Sequence, residues 1–366
     1  MLFNHKHYVP CLRWKQGEYD AILRLSPKTK AQITPLIEVP EIGYDFETKT
    51  PTRTLDKHLE LFVKRLMKKW GMNHCFVDIS LVKSSERMAD GRHPLKFVFD
   101  KLRVNKCRVI PVTGLDRDND FGSVINNITS SDKHGLCIRL NIEEASKPKL
   151  KNSIDSLLST NSLNADQCDL VLDLGAPNFE PVDGFAKLCV AIIKRLPLLQ
   201  QWRSFTFCGT SFPKSMSGIK QGRTLLKRFE WLLYKRVVEI LSADDIRLPA
   251  FGDYGISHPE VLSRDMRLLK PSATIRYTAQ DSWLIAKGLN VRDNKYGQYR
   301  ELCRSVLTSP YYLGKDFSFG DRYITDCTEG AAKTGSLTTW RMVGTNHHIE
   351  KVVVDISRFF GSEDNL

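Results

Sequence analysis

The chain has 366 residues, 42% of them apolar and 26% charged, the proportions of a globular protein. No segment reaches the roughly 18 uninterrupted apolar residues of a membrane-spanning helix, which excludes a helical membrane protein. Lysine and arginine number 54 against 42 acids, a formal charge of +12, so anionic partners are attracted irrespective of sequence, with nucleic acid foremost.

The segment from Met1 to His7 lacks the apolar run and small-residue cleavage site of a secretory signal, so a cytoplasmic location with reduced thiols is expected. The nine cysteines form no Cys-x-x-Cys pair, which argues against structural zinc. Cys75, Cys107, Cys137, Cys168 and Cys208 stand in or near apolar β runs and read as small core residues. The basic residues are dispersed, as in Lys64-Arg65 and Lys194-Arg195, and most fall on predicted helices, so part of the charge excess serves solubility alone.

In chain order, short β-branched runs recur at the spacing of a strand plus a crossover helix. Eight are found, over residues 35–39, 75–79, 107–112, 136–140, 170–174, 205–209, 249–253 and 273–277. Between them lie helical stripes, the clearest being Leu55, Leu59, Phe62, Val63, Leu66, Met67 and Trp70. Others are Leu95, Val98, Phe99 and Leu102; Ile154, Leu157 and Leu158; Phe185, Leu188, Cys189, Ile192 and Ile193; and Leu225, Phe229, Leu232 and Val237. The stripes in 124–128 and 260–269 are shorter. Eight such units close naturally into a parallel (β/α)8 barrel. An open doubly wound sheet is the alternative, but no Gly-x-Gly-x-x-Gly or Walker loop follows the first strand.

The barrel is expected over 1–281, with an N-terminal lead-in. Residues 282–366 are expected as a C-terminal extension packed on it, with helices near 283–289 and 299–307 and a β-like end over 340–354.

In a closed barrel, functional residues occupy the C-terminal strand ends. Glu38, Asp78, Asp173 and Asp253 interrupt apolar runs there, where a carboxylate is costly unless solvated, paired or bound to a cation. Arg139 and Arg276 come from two other strands, and Arg117 from the Asp116-Arg117-Asp118 segment. One reading is a ring of salt bridges. The other is a divalent metal, Mg2+, held by the four acids, with the arginines on substrate phosphate.

Gly209-Thr210-Ser211 offers backbone N–H groups and the hydroxyls of Thr210 and Ser211 to an anion, or is an ordinary turn. Gly252-Asp253-Tyr254-Gly255-Ile256-Ser257-His258 places an acid, a phenol and an imidazole in one loop, and Tyr254 or His258 is a candidate for handling a proton. The Trp340-Arg341-Met342-Val343-Gly344-Thr345-Asn346-His347-His348-Ile349 segment reads as a lid over the barrel or a structural latch, with Arg341 and His347 as candidate substrate contacts. Adjacent histidines on a strand face opposite ways, so a zinc pair is disfavoured.

The pattern resembles the phage and bacterial beta family proteins, also called protein beta, found on mobile elements. The residues carrying the resemblance are Tyr8-Val9-Pro10 with Leu12-Arg13-Trp14-Lys15, Thr34-Pro35-Leu36-Ile37-Glu38-Val39-Pro40, Leu172-Asp173-Leu174-Gly175 and Gly209-Thr210-Ser211-Phe212-Pro213. It continues through Phe251-Gly252-Asp253-Tyr254-Gly255 with His258-Pro259, Ile275-Arg276-Tyr277-Thr278, and Trp340-Arg341 with Gly344-Thr345-Asn346-His347-His348-Ile349. The resemblance implies a prophage or mobile-element setting, hence a role in conflict between phage and host, and assigns no reaction.

The leading expectation is a metal-dependent hydrolase, phosphodiesterase or nuclease-like, acting on nucleic acid or a nucleotide in anti-phage defence. Against it stands a non-enzymatic module that binds nucleic acid or a phage or defence-system protein through its basic helices. A sugar- or nucleotide-modifying transferase is a third reading, since the same barrel mouth supports many reactions.

Overall fold

The computed structural model describes residues 3–260 and 270–361. It contains a closed barrel of eight parallel strands whose order around the barrel follows the chain. The strands are Tyr8–Arg13, Leu36–Glu38, Cys75–Asp78, Val109–Thr113, Leu136–Asn141, Cys168–Asp173, Ser204–Cys208 and Ala250–Asp253. This is the (β/α)8 barrel that the periodicity predicts.

The first strand differs from the expectation. Tyr8–Arg13, read as a lead-in, pairs with both the second and the last strand and closes the barrel. Residues 273–277 are not a barrel strand. They belong to Ser272–Thr278, which pairs antiparallel with Ser282–Asn290 in a three-stranded sheet completed by Gly222–Lys227. The helix expected over 283–289 is therefore a strand.

Helical crossovers bury the outer barrel face. In Leu55–Lys69, the Thr54 hydroxyl accepts from the Lys57 N–H and caps the start, and Leu59, Phe62, Val63 and Leu66 form the buried stripe. Such a cap contributes about 1 kcal/mol, and each fully buried large apolar side chain roughly 2 kcal/mol. The stripes expected in 95–102, 154–158 and 185–193 fall in Pro94–Val104, Leu150–Thr160 and Val182–Arg195, and the short stripe near 124–128 in Asn119–Asp132. Leu225, expected on the stripe of Phe229–Ala243, is instead an exposed residue of Gly222–Lys227. Of 260–269, only Glu260 is among the described residues. All nine cysteines are free and buried, as core residues should be.

The chain divides into two compact units. The first, the barrel, comprises 1–14, 34–209 and 233–253; the second comprises 15–33, 210–232 and 254–366. The boundary expected at 281/282 thus lies within the second unit, between two paired strands.

The second unit is built on Leu337–Phe359, a helix where a β-like end was expected. Ser336 starts it with a reciprocal cap through Thr339. Its Trp340 and Val343 join Ile275, Tyr277, Tyr299 and Ile324 in one apolar core. Among the described residues, no helix is long and apolar enough to cross a membrane.

Candidate functional site

The barrel register brings Arg13, Glu38 and Asp78 to one level on three adjacent strands. Asn141 and Asp173 are paired in the same way across the fifth and sixth strands. Arg139, two residues before Asn141, shares its face of the pleat and reaches the three acids.

Arg139 Nη1 donates to Glu38 Oε1 at 3.0 Å and to Asp78 Oδ2 at 2.8 Å, while Nε donates to Asp173 Oδ2 at 2.8 Å. One guanidinium thus holds three carboxylates. Backbone N–H groups fix the aspartates further: Ser80 donates to Asp78 Oδ1 at 2.8 Å and Gly175 to Asp173 Oδ1 at 2.9 Å. Two more arginines flank the group, Arg13 at 3.7 Å from Glu38 and Arg117 at 3.7 Å from Asp78. Three formal negative charges therefore meet three positive ones, with Asp78 only 1% exposed and Arg117 29% exposed.

Burial, reinforced by the Asp78 carboxylate, raises the pKa of Glu38, and the charges of Arg139 and Arg13 oppose this without cancelling it. A buried acid with a raised pKa beside a charge cluster is the environment in which catalytic carboxyls are found.

Arg117 also lines a cleft of about 380 Å3 formed by the loops after the third and fourth strands. Ser80, Lys83, Ser84, His93 and Asp118 face it. His93 and Asp118 are the N-caps of Pro94–Val104 and Asn119–Asp132, so two helix N-termini border the cleft. His93 Nδ1 accepts from the Leu95 N–H at 3.1 Å, which leaves the proton of the neutral ring on Nε2. Burial and the Arg87 charge lower its pKa.

The remaining expected site residues are placed elsewhere. Asp253 is fully buried, lies in register with Pro10 and accepts from the Tyr8 hydroxyl at 2.5 Å, so it is engaged in the barrel interior and not at the level of Arg13. Tyr254, His258, Thr210, Ser211, Arg276, Arg341 and His347 belong to the second unit. Thr210 Oγ1 accepts from the Phe212 N–H, and Ser211 Oγ donates to Glu230 while accepting from the Phe229 N–H, so both hydroxyls are committed to local structure. His258 Nδ1 accepts from the Glu260 N–H at 3.1 Å.

His347 is buried completely, with Nδ1 at 2.8 Å from Asp321 Oδ2 and Nε2 at 2.9 Å from the Thr278 carbonyl. It cannot serve as a substrate contact. His348 is equally buried, 2.8 Å from the Thr278 hydroxyl, because the segment is helical and enclosed on several sides.

Among the described residues, no group of three or more His, Cys, Asp or Glu is arranged to hold a metal ion. Arg139 stands among the acids where a cation would have to bind. The expected four-acid metal site is therefore not assembled: Asp253 is apart, and the other three already share a cation. The sequence pattern does not mark Arg13, because Pro10 disguises its strand, or the cleft residues Ser80, Lys83, Ser84 and His93, which lie in a polar stretch without a motif.

A (β/α)8 barrel with an acid–arginine cluster at its C-terminal mouth is the class these features define. The chain belongs to the Beta protein family, whose profile matches residues 8–354. No curated protein matches it significantly. Among solved structures it is similar to a GH5-4 broad specificity endoglucanase from an uncultured bacterium, at 9% identity and a TM-score of 0.35 over 67% of this chain and 78% of that one, a likeness too weak to bear on the site.

Proposed function

We propose that the protein is a hydrolase that cleaves a phosphodiester of a nucleotide or nucleic acid at the barrel mouth. The observation that carries this reading is Glu38, a buried acid of raised pKa joined through Arg139 to two further carboxylates. A carboxyl whose pKa is raised, once protonated, can give its proton to a leaving alkoxide, while an ionised neighbour takes the proton of the attacking water. Water oxygen bonds to phosphorus, the ester P–O bond breaks, and the departing oxygen leaves with the Glu38 proton. Arg139, Arg13 and Arg117 meet the phosphate oxygens, where planar guanidinium donors match the charge that develops. The cleft beside Arg117, bordered by Lys83, Ser80 and two helix N-termini, has the chemistry to receive an adjacent phosphate.

Divalent metal enters this scheme only if Arg139 leaves the acids. The phage and mobile-element setting, with a cytoplasmic site of action and a phage or defence-system partner, belongs to the same proposal.

The test is turnover of bis(p-nitrophenyl) phosphate and of labelled oligonucleotides by the full chain and by Glu38→Gln. Loss of general acid catalysis lowers the rate by about 10²-fold or more. No hydrolysis by the unaltered chain, or equal hydrolysis by the variant, defeats the reading.

A second reading, binding of nucleic acid without chemistry, is favoured by one observation: all three mouth acids are already neutralised by arginine. Oligonucleotide affinity that falls steeply with salt and is untouched by Glu38→Gln would select it.

A further inference from the structure

The second unit holds two neighbouring arginines that its own structure leaves short of acceptors. Arg276 lies in the strand Ser272–Thr278 and Arg341 in the second turn of Leu337–Phe359. Gly344, three residues on from Arg341 and so on the same helix face, lets strand and helix meet. A Cβ at Gly344 would stand 2.8 Å from the Arg276 carbonyl oxygen and 3.6 Å from Arg276 Cβ. Gly17 closes on the other stem, for a Cβ there would lie 2.3 Å from Arg341 Cγ. The two cationic side chains therefore start side by side.

Their partners do not balance them. Arg341 Nη1 donates to the Ile256 carbonyl at 2.6 Å and to Ser257 Oγ at 3.0 Å, both neutral. The Arg276 side chain makes no hydrogen bond or ion pair among the described residues, and its Nε is buried without an acceptor. The acid whose field reaches it, Glu18, forms no ion pair with it. Burial, with the Arg341 charge beside it, pulls the Arg276 guanidinium down to about 9. Two guanidinium groups at close quarters, one of them with idle donors, repel each other unless an anion lies between. Arg276 is only partly buried, so a ligand can reach it.

We propose that Arg276 and Arg341 form an oxyanion site in the second unit that takes the phosphate group of a free or esterified phosphate. Two arginines match the one to two negative charges of phosphate at neutral pH, and their planar donors suit its oxygens. Ser257 Oγ, already on Arg341, can turn its proton to the same ligand. The site uses none of the mouth residues, so it stands or falls separately from the hydrolase reading.

Thermal unfolding of the full chain, titrated with inorganic phosphate and with AMP at constant ionic strength, tests it. The unaltered protein should be stabilised saturably, and Arg276→Met and Arg341→Met should each weaken the response about 10- to 100-fold, the value of a charged hydrogen bond. Stronger stabilisation by AMP than by inorganic phosphate identifies an esterified ligand, and equal stabilisation a free one. Arg276→Met should also unfold no lower than the unaltered protein in phosphate-free buffer, because it removes an unpaired charge. Failure of that variant to fold, an unchanged phosphate response in it, or no response in the unaltered protein overturns the proposal. Crystals soaked in tungstate, a dense phosphate analogue, give a direct view: density between Arg276 and Arg341 supports the site, and none there overturns it.

Discussion

Arg139 Nη1 donates to Glu38 at 3.0 Å and to Asp78 at 2.8 Å, so two acids from neighbouring strands depend on one nitrogen. Their mutual repulsion is held in check by that group and by its further bond to Asp173. Arg139→Met should therefore cost about 3–5 kcal/mol at neutral pH, the usual result of leaving buried charges unpaired. The loss should shrink as pH falls, because three carboxylates left with only the more distant Arg13 and Arg117 repel one another, and protonation relieves that repulsion. Chemical denaturation of the variant across pH 4 to 8 measures this. Millimolar Mg2+ should stabilise the variant and leave the unaltered chain unmoved; equal effects would mean that the three acids do not face a common point.

Glu38→Gln should separate stability from turnover. Since burial raises the Glu38 pKa, its ionised form is disfavoured in the folded chain, and stability tied to it is present below the unfolded pKa and lost as pH rises through the folded one. The neutral amide removes that dependence. The melting temperature of the variant at pH 8 should equal or exceed that of the parent while phosphodiester turnover falls. A lower melting temperature at pH 8 would make Glu38 a structural anchor.

At the opposite end of the barrel, Arg203 Nε donates to Asp169 Oδ1 at 3.1 Å and Nη2 to Oδ2 at 2.5 Å, with Asp169 almost fully buried. Nη1 also reaches the His134 carbonyl at 2.8 Å. Residues at the N-terminal ends of barrel strands serve stability. Asp169→Ala should cost about 3 kcal/mol or more in urea titrations and leave turnover per folded molecule unchanged.

In the second unit, burial pushes the Asp321 pKa up, but the His347 charge and hydrogen bonds from His347, Ser318 and Tyr277 outweigh it and leave the pKa lowered. The sign follows directly: a lowered carboxyl pKa gives stability that is present above the unfolded value and lost as pH falls through the folded one. Asp321→Asn should unfold earlier at pH 7 and show a flatter acid limb, read by tryptophan fluorescence, since Trp340 lies on the same helix as His347.

Much of this organisation is visible in the residues. A charge at the end of a β-branched run marks a strand facing into the barrel, and Glu38, Asp78, Arg139 and Asp173 were identifiable in that way. Tyr8–Arg13 was hidden by Pro10, because proline argues against a paired strand. Residues 273–277 looked like a parallel strand, although the short stretch before Ser282 leaves no room for a crossover helix and points to a hairpin. Val352, Val353 and Val354 gave 340–354 a β-like look, while the helix is sustained by enclosure on several faces, where packing outweighs propensity. What pattern could not supply was the sharing of one arginine by three acids, which depends on the register of five strands separated by up to 135 residues, from Glu38 to Asp173.

The alternation of the two units along the chain has a consequence for biosynthesis. Every barrel strand has been synthesised once residue 253 emerges, whereas the second unit waits for the Leu337–Phe359 helix around which its core forms. Domains fold as units as synthesis proceeds, so a nascent barrel carries two unfinished loops, 15–33 and 210–232, until the residues after 253 that share their unit arrive. No single cut of the polypeptide can release either unit whole, and a premature stop after the barrel would leave those loops without the helix that completes their fold.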